Sequence, residues 1–97
     1  MVASPITVTL AHRASHSDEV LIQDVGGEAV LLDLASEQYF GLDPVGTRIW
    51  TLLGEDDRLQ AVSDRLCAEY DADPARITSD LLALVEKLAA AGLVKLA

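Results

Sequence analysis

The apolar residues of this 97-residue chain change their spacing once, at Asp43-Pro44. Before that point, short β-branched and apolar runs alternate with polar residues, which is typical of strands with one buried face. After it, apolar residues recur every three or four positions, which is typical of one face of a helix. Because the strands precede the helices and do not alternate with them, the pattern predicts an α+β fold and excludes a parallel sheet with crossover helices.

Three strands are predicted before the change of spacing, over residues 20–25, 29–34 and 38–42. Gly26-Gly27 separates the first two, and this pair favours a tight hairpin because both central positions of a type I′ turn need positive φ. In the third strand, Phe40 and Leu42 share one face. The strands are therefore predicted to form a three-stranded antiparallel meander.

Three helices are predicted after the change of spacing. Asp43-Pro44 and Asp73-Pro74 are both start signals, because Asp caps free N–H groups and Pro fits the first helical position. Gly92 ends the last helix, and residues 93–96 form a short extended piece. The apolar stripes of the three helices are Val45, Ile49, Leu52 and Leu53; Leu59, Val62, Leu66, Cys67 and Tyr70; and Ile77, Leu81, Leu84, Val85 and Leu88. Three helices with a small antiparallel sheet are the elements of a winged-helix-like domain.

The chain divides at residue 17 by its composition. Residues 1–17 are predicted to be an N-terminal arm or an extra strand, and residues 18–97 form the folded domain. Residues 6–10 alternate apolar and polar side chains as a half-buried strand would, whereas residues 11–17 are small and polar and are predicted to be a linker. The arm could pair within its own chain or across a homodimer, and the sequence leaves both arrangements open.

The charge and cysteine content exclude several classes of protein. Seven Lys and Arg against sixteen Asp and Glu give a net charge of −9, which opposes binding to the phosphate backbone of nucleic acid. A winged-helix DNA-binding regulator is the alternative that the fold alone would allow. No apolar run is long enough to cross a membrane, and Cys67 is the single cysteine, so we expect a reduced, cytoplasmic protein without membrane contact.

The sequence holds no convincing catalytic, metal or cofactor site. Gly26-Gly27 lies between two strands and is not followed by a helix, so it does not fit a phosphate loop. His12 and His16 are four residues apart but lack a third strong ligand, and we expect them to be solvated. Cys67 and Trp50 are predicted to belong to the core. We therefore expect no enzymatic activity and no bound cofactor.

Two elements instead suggest an interaction surface. The predicted helix that begins at Asp73-Pro74 has an apolar arc wider than one core contact needs. Either it packs on two sides, or Leu82, Val85 and Ala89 line an apolar groove. The strand over residues 38–42 comes last in the meander and contains neither Pro nor Lys, so its free edge could accept an extended peptide unless residues 6–10 or 93–96 cover it.

Residues 31–50 resemble the PqqD family through the motif Leu31-Leu32-Asp33-Leu34, Tyr39-Phe40-Gly41-Leu42-Asp43-Pro44-Val45-Gly46 and Ile49-Trp50. The tail, with Ala68-Glu69-Tyr70-Asp71, Asp73-Pro74 and Ala91-Gly92-Leu93-Val94, resembles it as well. Members are recognition elements for RiPPs, which are ribosomally made and post-translationally modified peptides.

The resemblance implies a non-catalytic adaptor that binds the leader of a precursor peptide by strand addition. It would present that leader to a modifying enzyme or leader peptidase. The sequence of the motif most resembles that of stand-alone members and those of lasso-peptide pathways. Transferred by position, the peptide-binding residues would be Gln38, Tyr39, Phe40, Gly41 and Leu42 on the strand and Thr78, Leu82, Val85, Glu86 and Ala89 on the helix.

Overall fold

The computed structural model describes residues 8–97 and has the α+β architecture that the sequence predicts. A three-stranded antiparallel meander is followed by three helices, and a pair of very short strands joins the two ends of the described chain. The elements are β1 (Ala14–His16), β2 (Val20–Val25), β3 (Glu28–Asp33), β4 (Gln38–Gly41), α1 (Pro44–Glu55), α2 (Leu59–Glu69), α3 (Pro74–Ala90) and β5 (Val94–Leu96).

The meander has the strand order β2-β3-β4, and its hairpin confirms the prediction from the glycine pair. Gly26 and Gly27 have φ values of 67° and 89°, a region that side chains strongly disfavour. On β3, Ala29 and Leu31 are buried against the helices, and Leu31 lies opposite Phe40 of β4. The sheet thus turns one face towards the core and leaves the other exposed.

Both predicted capping residues start their helices. The Asp43 carboxylate accepts a hydrogen bond from the Gly46 N–H at 2.7 Å, and Asp73 accepts one from Ala75 at 3.1 Å. A cap of this kind stabilises a helix by about 1 kcal/mol. Only Leu42 lies between the end of β4 and Asp43, so the first cap stands where the chain leaves the sheet and enters α1.

Residues 11–17 are more ordered than predicted, since β1 pairs antiparallel with β5 and is not a linker. Ala14 is fully buried, and its small side chain lets the backbone lie close to the core. The predicted strand over residues 6–10 falls partly on residues 1–7, which lie outside the described residues. Val8 is buried, but residues 8–10 do not form a strand.

The core lies between the three helices and β3. Trp50 is 4% exposed, as predicted, and the His16 imidazole stacks on its indole with ring centroids 3.7 Å apart. Cys67 is half-buried and so more accessible than predicted. In the part of the chain that is described, each helix is too short or too polar to cross a membrane.

Candidate peptide-binding groove

Strand β4 forms one edge of the meander. It pairs with β3 on one side, and within residues 8–97 no strand pairs with its other side. The Leu42 N–H donates to the Ala29 carbonyl at 2.8 Å, so the backbone groups of Leu42 point towards β3. Because these groups alternate in direction along an antiparallel strand, those of Tyr39 and Gly41 point away from β3. The free edge therefore presents two N–H and two C=O groups.

A groove of about 560 Å³ runs beside this edge, between β4, α1 and α3. Its apolar surface comes from all three elements: Phe40, Leu42, Val45, Ile49 and Leu84. On α3, Asp80 lies about one helical turn before Leu84, and Lys87 lies about one turn after it. An extended peptide on the β4 edge would therefore lie over an apolar surface with one acidic and one basic group beside it.

The α3 wall of the groove is formed by Asp80, Leu84 and Lys87, which follow the spacing i, i+4, i+7 of one helix face. The sequence pattern leaves open whether Leu82, Val85 and Ala89 pack in the core or line a groove, and the family resemblance implies the groove. These three residues do not line the groove, so that prediction of the groove wall is corrected. With about 3.6 residues per turn, the predicted face lies on nearly the opposite side of the helix.

Burial explains the difference. Val85 is 0% exposed and packs in the core with Leu81 and Leu88, while Leu82 and Ala89 are half-buried against the core. Thr78 is directed to α2, where its hydroxyl lies 3.0 Å from that of Ser63, and Glu86 does not line the groove. The apolar arc of α3 thus packs on one flank and borders the groove on the other.

The five predicted residues of β4 divide between two faces. The side chains of Phe40 and Leu42 line the groove, and Gly41, which shares the outer face with Tyr39, borders the groove through its backbone. Tyr39 projects to the outer face of the sheet and is 74% exposed, and Gln38 is also exposed. The outer position of Tyr39 places its ring away from the groove, while its backbone groups remain on the free edge.

The charged side chains around the groove differ in whether they already have a hydrogen-bond or ion-pair partner. The Asp43 carboxylate caps α1, so it is occupied. Asp80 lies 4.0 Å from the Arg76 guanidinium, a distance typical of a weak surface pair. Among the ion pairs of the described residues, none involves Lys87. Lys87 is therefore the groove's available cation in a strongly acidic protein.

The two histidines have separate environments. His12 Nδ1 accepts a hydrogen bond from the Thr9 N–H at 3.0 Å, whereas His16 Nε2 donates to the Trp50 carbonyl at 2.8 Å. Burial lowers the pKa of His16 below its ordinary value of 6.5, which favours the neutral ring. No cluster of three His, Cys, Asp or Glu side chains suited to a metal ion occurs between residues 8 and 97.

The family comparison agrees with this architecture. The family model described as Coenzyme PQQ synthesis protein D (PqqD) matches residues 28–94. The chain belongs to the PqqD family. The matched region of this PqqD-family protein begins with β3 and includes β4, all three helices and the groove between them. Among curated proteins there is no significant match.

Two solved structures are similar to this PqqD-family protein. The first is TbiB1 in complex with the TbiA(beta) leader peptide, with 41% sequence identity and a TM-score of 0.78 over 84% of this chain and 94% of that one. The second is lasso peptide synthetase B1 complexed with the leader peptide, with 24% identity and a TM-score of 0.76 over 86% of this chain and 98% of that one. At its lower identity, the second likeness concerns the fold alone.

Proposed function

We propose that this PqqD-family protein is a non-catalytic adaptor that binds the leader of a ribosomal precursor peptide as an added strand on β4. It then presents the precursor to a modifying enzyme or a leader peptidase, as in lasso-peptide biosynthesis. The observation that carries the proposal is a free strand edge lying directly beside an apolar groove. The likeness to TbiB1, whose structure contains a leader peptide, supports it.

Strand addition would divide the recognition between backbone and side chains. The N–H and C=O groups of Tyr39 and Gly41 would bond to the leader backbone and provide affinity that depends little on leader sequence. Alternate leader side chains would enter the groove over Phe40 and Leu84 and provide selectivity. The remaining side chains would face outward beside Tyr39, where a partner enzyme could reach them.

The DNA-binding alternative receives no support from the site. Helix α3, which would be the recognition helix, carries Arg76 and Lys87 against Asp80 and Glu86. DNA recognition needs basic side chains at the phosphates, and α3 is not net positive.

Gly41→Pro tests the proposal through the backbone. Proline removes an N–H that is not used in the β3–β4 ladder, and edge strands tolerate it. Gly41→Ala is the matched control, because it keeps the N–H and no atom lies within 4 Å of the added Cβ. With the TbiA(beta) leader peptide and the leaders encoded beside this gene as probes, we expect Gly41→Pro to weaken binding by about tenfold, the value of about one hydrogen bond. We expect Gly41→Ala to stay within twofold of wild type, with thermal unfolding confirming that both variants fold.

A second measurement does not depend on how the variant folds. A leader peptide methylated at one backbone nitrogen at a time loses single donors, so strand addition predicts weaker binding at every second residue across the paired segment. Uniform tolerance of methylation, together with unchanged affinity of Gly41→Pro, would show that the peptide does not pair with β4. Absence of binding to any leader would refute the proposed function itself.

A further inference from the structure

The basic side chains of this acidic protein are almost all paired with a carboxylate. The chain has seven Lys and Arg residues, and six of them lie within 4.0 Å of a carboxylate oxygen: Arg13, Arg48, Arg58, Arg65, Arg76 and Lys95. Lys87 is the seventh, and no carboxylate of residues 8–97 lies as close to its ammonium group. This basic side chain lines the groove beside β4.

The sequence of α3 explains why Lys87 has no partner on its own helix. Residues three and four positions apart are neighbours on a helix surface, and around Lys87 these are Ala83, Leu84, Ala90 and Ala91. None of the four carries a carboxylate, whereas Arg76 has Asp80 four positions ahead. Lys87 lies in the last turn of α3, where a cation interacts favourably with the helix dipole. That interaction explains a positive charge at this end of the helix but does not provide the ammonium group with an anionic partner.

The groove carries opposite charges at the two ends of its α3 wall. Asp80 and Lys87 are seven residues apart, which corresponds to roughly 10 Å along the helix axis. Leu84 lies between them and contributes apolar surface. Because an extended peptide covers roughly 10 Å in about three residues, a strand on the β4 edge would pass one acidic group and, about three residues further on, one basic group.

The strand edge alone does not determine the direction of an added peptide. The N–H and C=O groups of β4 could pair with a parallel or an antiparallel strand, since both ladders use the same backbone groups. Two opposite charges along the groove distinguish the two directions when the peptide itself carries charge. In one direction an acidic peptide residue lies beside Lys87, and in the other it lies beside Asp80, where like charges repel.

We propose that Lys87 is a specificity-determining residue: it pairs with an Asp or Glu side chain of the bound leader, while Asp80 disfavours an acidic side chain at the other end of the groove. This inference rests on the proposed function. A bound peptide would exclude water from around Lys87, which strengthens the attraction between the two charges. The net charge of −9 repels acidic peptides in general, so an acidic residue is favoured at this one position. The preferred ligand is a leader with an acidic residue at one end of its paired segment.

Charge reversal at Lys87 tests the inference. Lys95→Glu is the matched control, because it changes the net charge by the same amount, while Lys95 pairs with Asp18 and does not line the groove. The probes are peptides selected against the full chain from a displayed library of random sequences. We expect wild type to enrich Asp or Glu at one position of the paired segment and Lys87→Glu to enrich Lys or Arg there. Lys95→Glu and Lys87→Arg should keep the wild-type preference, with thermal unfolding confirming that all variants fold.

A double-mutant cycle shows whether the enriched acidic residue acts through Lys87. Changing that peptide residue to its amide should weaken binding about fivefold in wild type and less than twofold in Lys87→Gln, which removes the charge of the side chain. If peptides bind with alternating sensitivity to backbone methylation but no acidic residue couples to Lys87, the charge selection is refuted and strand addition stands. If neither the TbiA(beta) leader peptide nor any selected peptide binds, the proposed function fails, and this inference fails with it.

Discussion

At the scale of single residues, His16 and Trp50 join the amino-terminal segment to α1. The two rings are nearly parallel, with an interplanar angle of 6°, and His16 Nε2 donates to the Trp50 carbonyl. Gly54 leaves room for this arrangement, because a Cβ at that position would lie 3.1 Å from His16 Cε1. The His16 side chain of β1 therefore packs closely against α1, at Trp50 and Gly54.

The environment of His16 predicts a loss of stability in mild acid. Burial lowers the His16 pKa in the folded protein, so the unfolded chain binds a proton more readily. The contribution of the neutral ring is fully present above its unfolded pKa of 6.5 and is lost as the pH falls towards the folded pKa. We expect urea unfolding, followed by Trp50 fluorescence, to give a lower midpoint at pH 5.5 than at pH 7.5.

Two matched substitutions isolate this effect. His16→Phe keeps an aromatic ring against Trp50 but cannot titrate, so its unfolding midpoint should change less between the two pH values than that of wild type. His12→Phe removes the other histidine, which does not contact Trp50, and should retain the wild-type difference. Equal pH dependence in wild type and His16→Phe would assign the effect to other groups.

Local chemistry made several single residues predictable from the sequence. Asp43 and Asp73 act through hydrogen bonds to residues two or three positions ahead, and Gly26 and Gly27 act through their own backbone angles. Periodicity shows the apolar arc of α3 without showing which flank meets the core, so the groove position predicted for Val85 comes from the family resemblance alone. That choice depends on how α3 packs against α1 and the sheet, and no local signal contains it.

At the scale of elements, α3 has two flanks, one on either side of its core face, and only one of them borders the groove. Leu84 on one flank lines the groove, and Leu82 on the other does not, although both are half-buried and pack against the core. Leu84→Ala and Leu82→Ala should therefore lower the free energy of unfolding by similar amounts. Leu84→Ala should weaken leader binding by about fivefold to tenfold, as expected for an apolar contact at an interface, whereas Leu82→Ala should change it less than twofold.

Titration calorimetry with a bound leader and thermal unfolding of both variants would measure the two effects separately. The reverse ranking, with Leu82→Ala the weaker binder, would restore the face chosen from the sequence and move the peptide to the other side of α3.

The longer elements could be predicted from the sequence, but only one of the two shortest strands could. The strands of the meander and the three helices each span enough residues for a period to be visible, so their order and approximate bounds followed from the sequence. Strands β1 and β5 have three residues each, too few to show alternation. Residues 93–96 are nevertheless predicted to be extended. Ala14-Ser15-His16 has no apolar run, so the sequence predicts a linker where the partner strand lies.

At the scale of the whole molecule, pairing of β1 with β5 closes the fold. Ala14 lies opposite Leu96, and the backbone groups of Arg13 and Ala97 exchange hydrogen bonds at 2.9 Å in both directions. The meander and all three helices lie between these two strands in the sequence. Their pairing therefore depends on the tertiary structure that brings them together. This long-range dependence is the physical reason why the sequence pattern did not reveal it.

The open edge of β4 also has a consequence for the protein when no peptide is present. An unpaired strand edge without Pro or Lys can join the same edge of another copy, which is the first step of aggregation. A net charge of −9 on each molecule opposes that encounter, and salt screens the repulsion.

We expect light scattering to show self-association that increases between 50 mM and 500 mM NaCl, decreases when a leader peptide is bound, and is reduced in Gly41→Pro. Salt-independent scattering would show that charge does not protect the edge. If self-association instead rises with salt, the acidity of this chain keeps copies of the protein apart while the β4 edge stays available for its ligand.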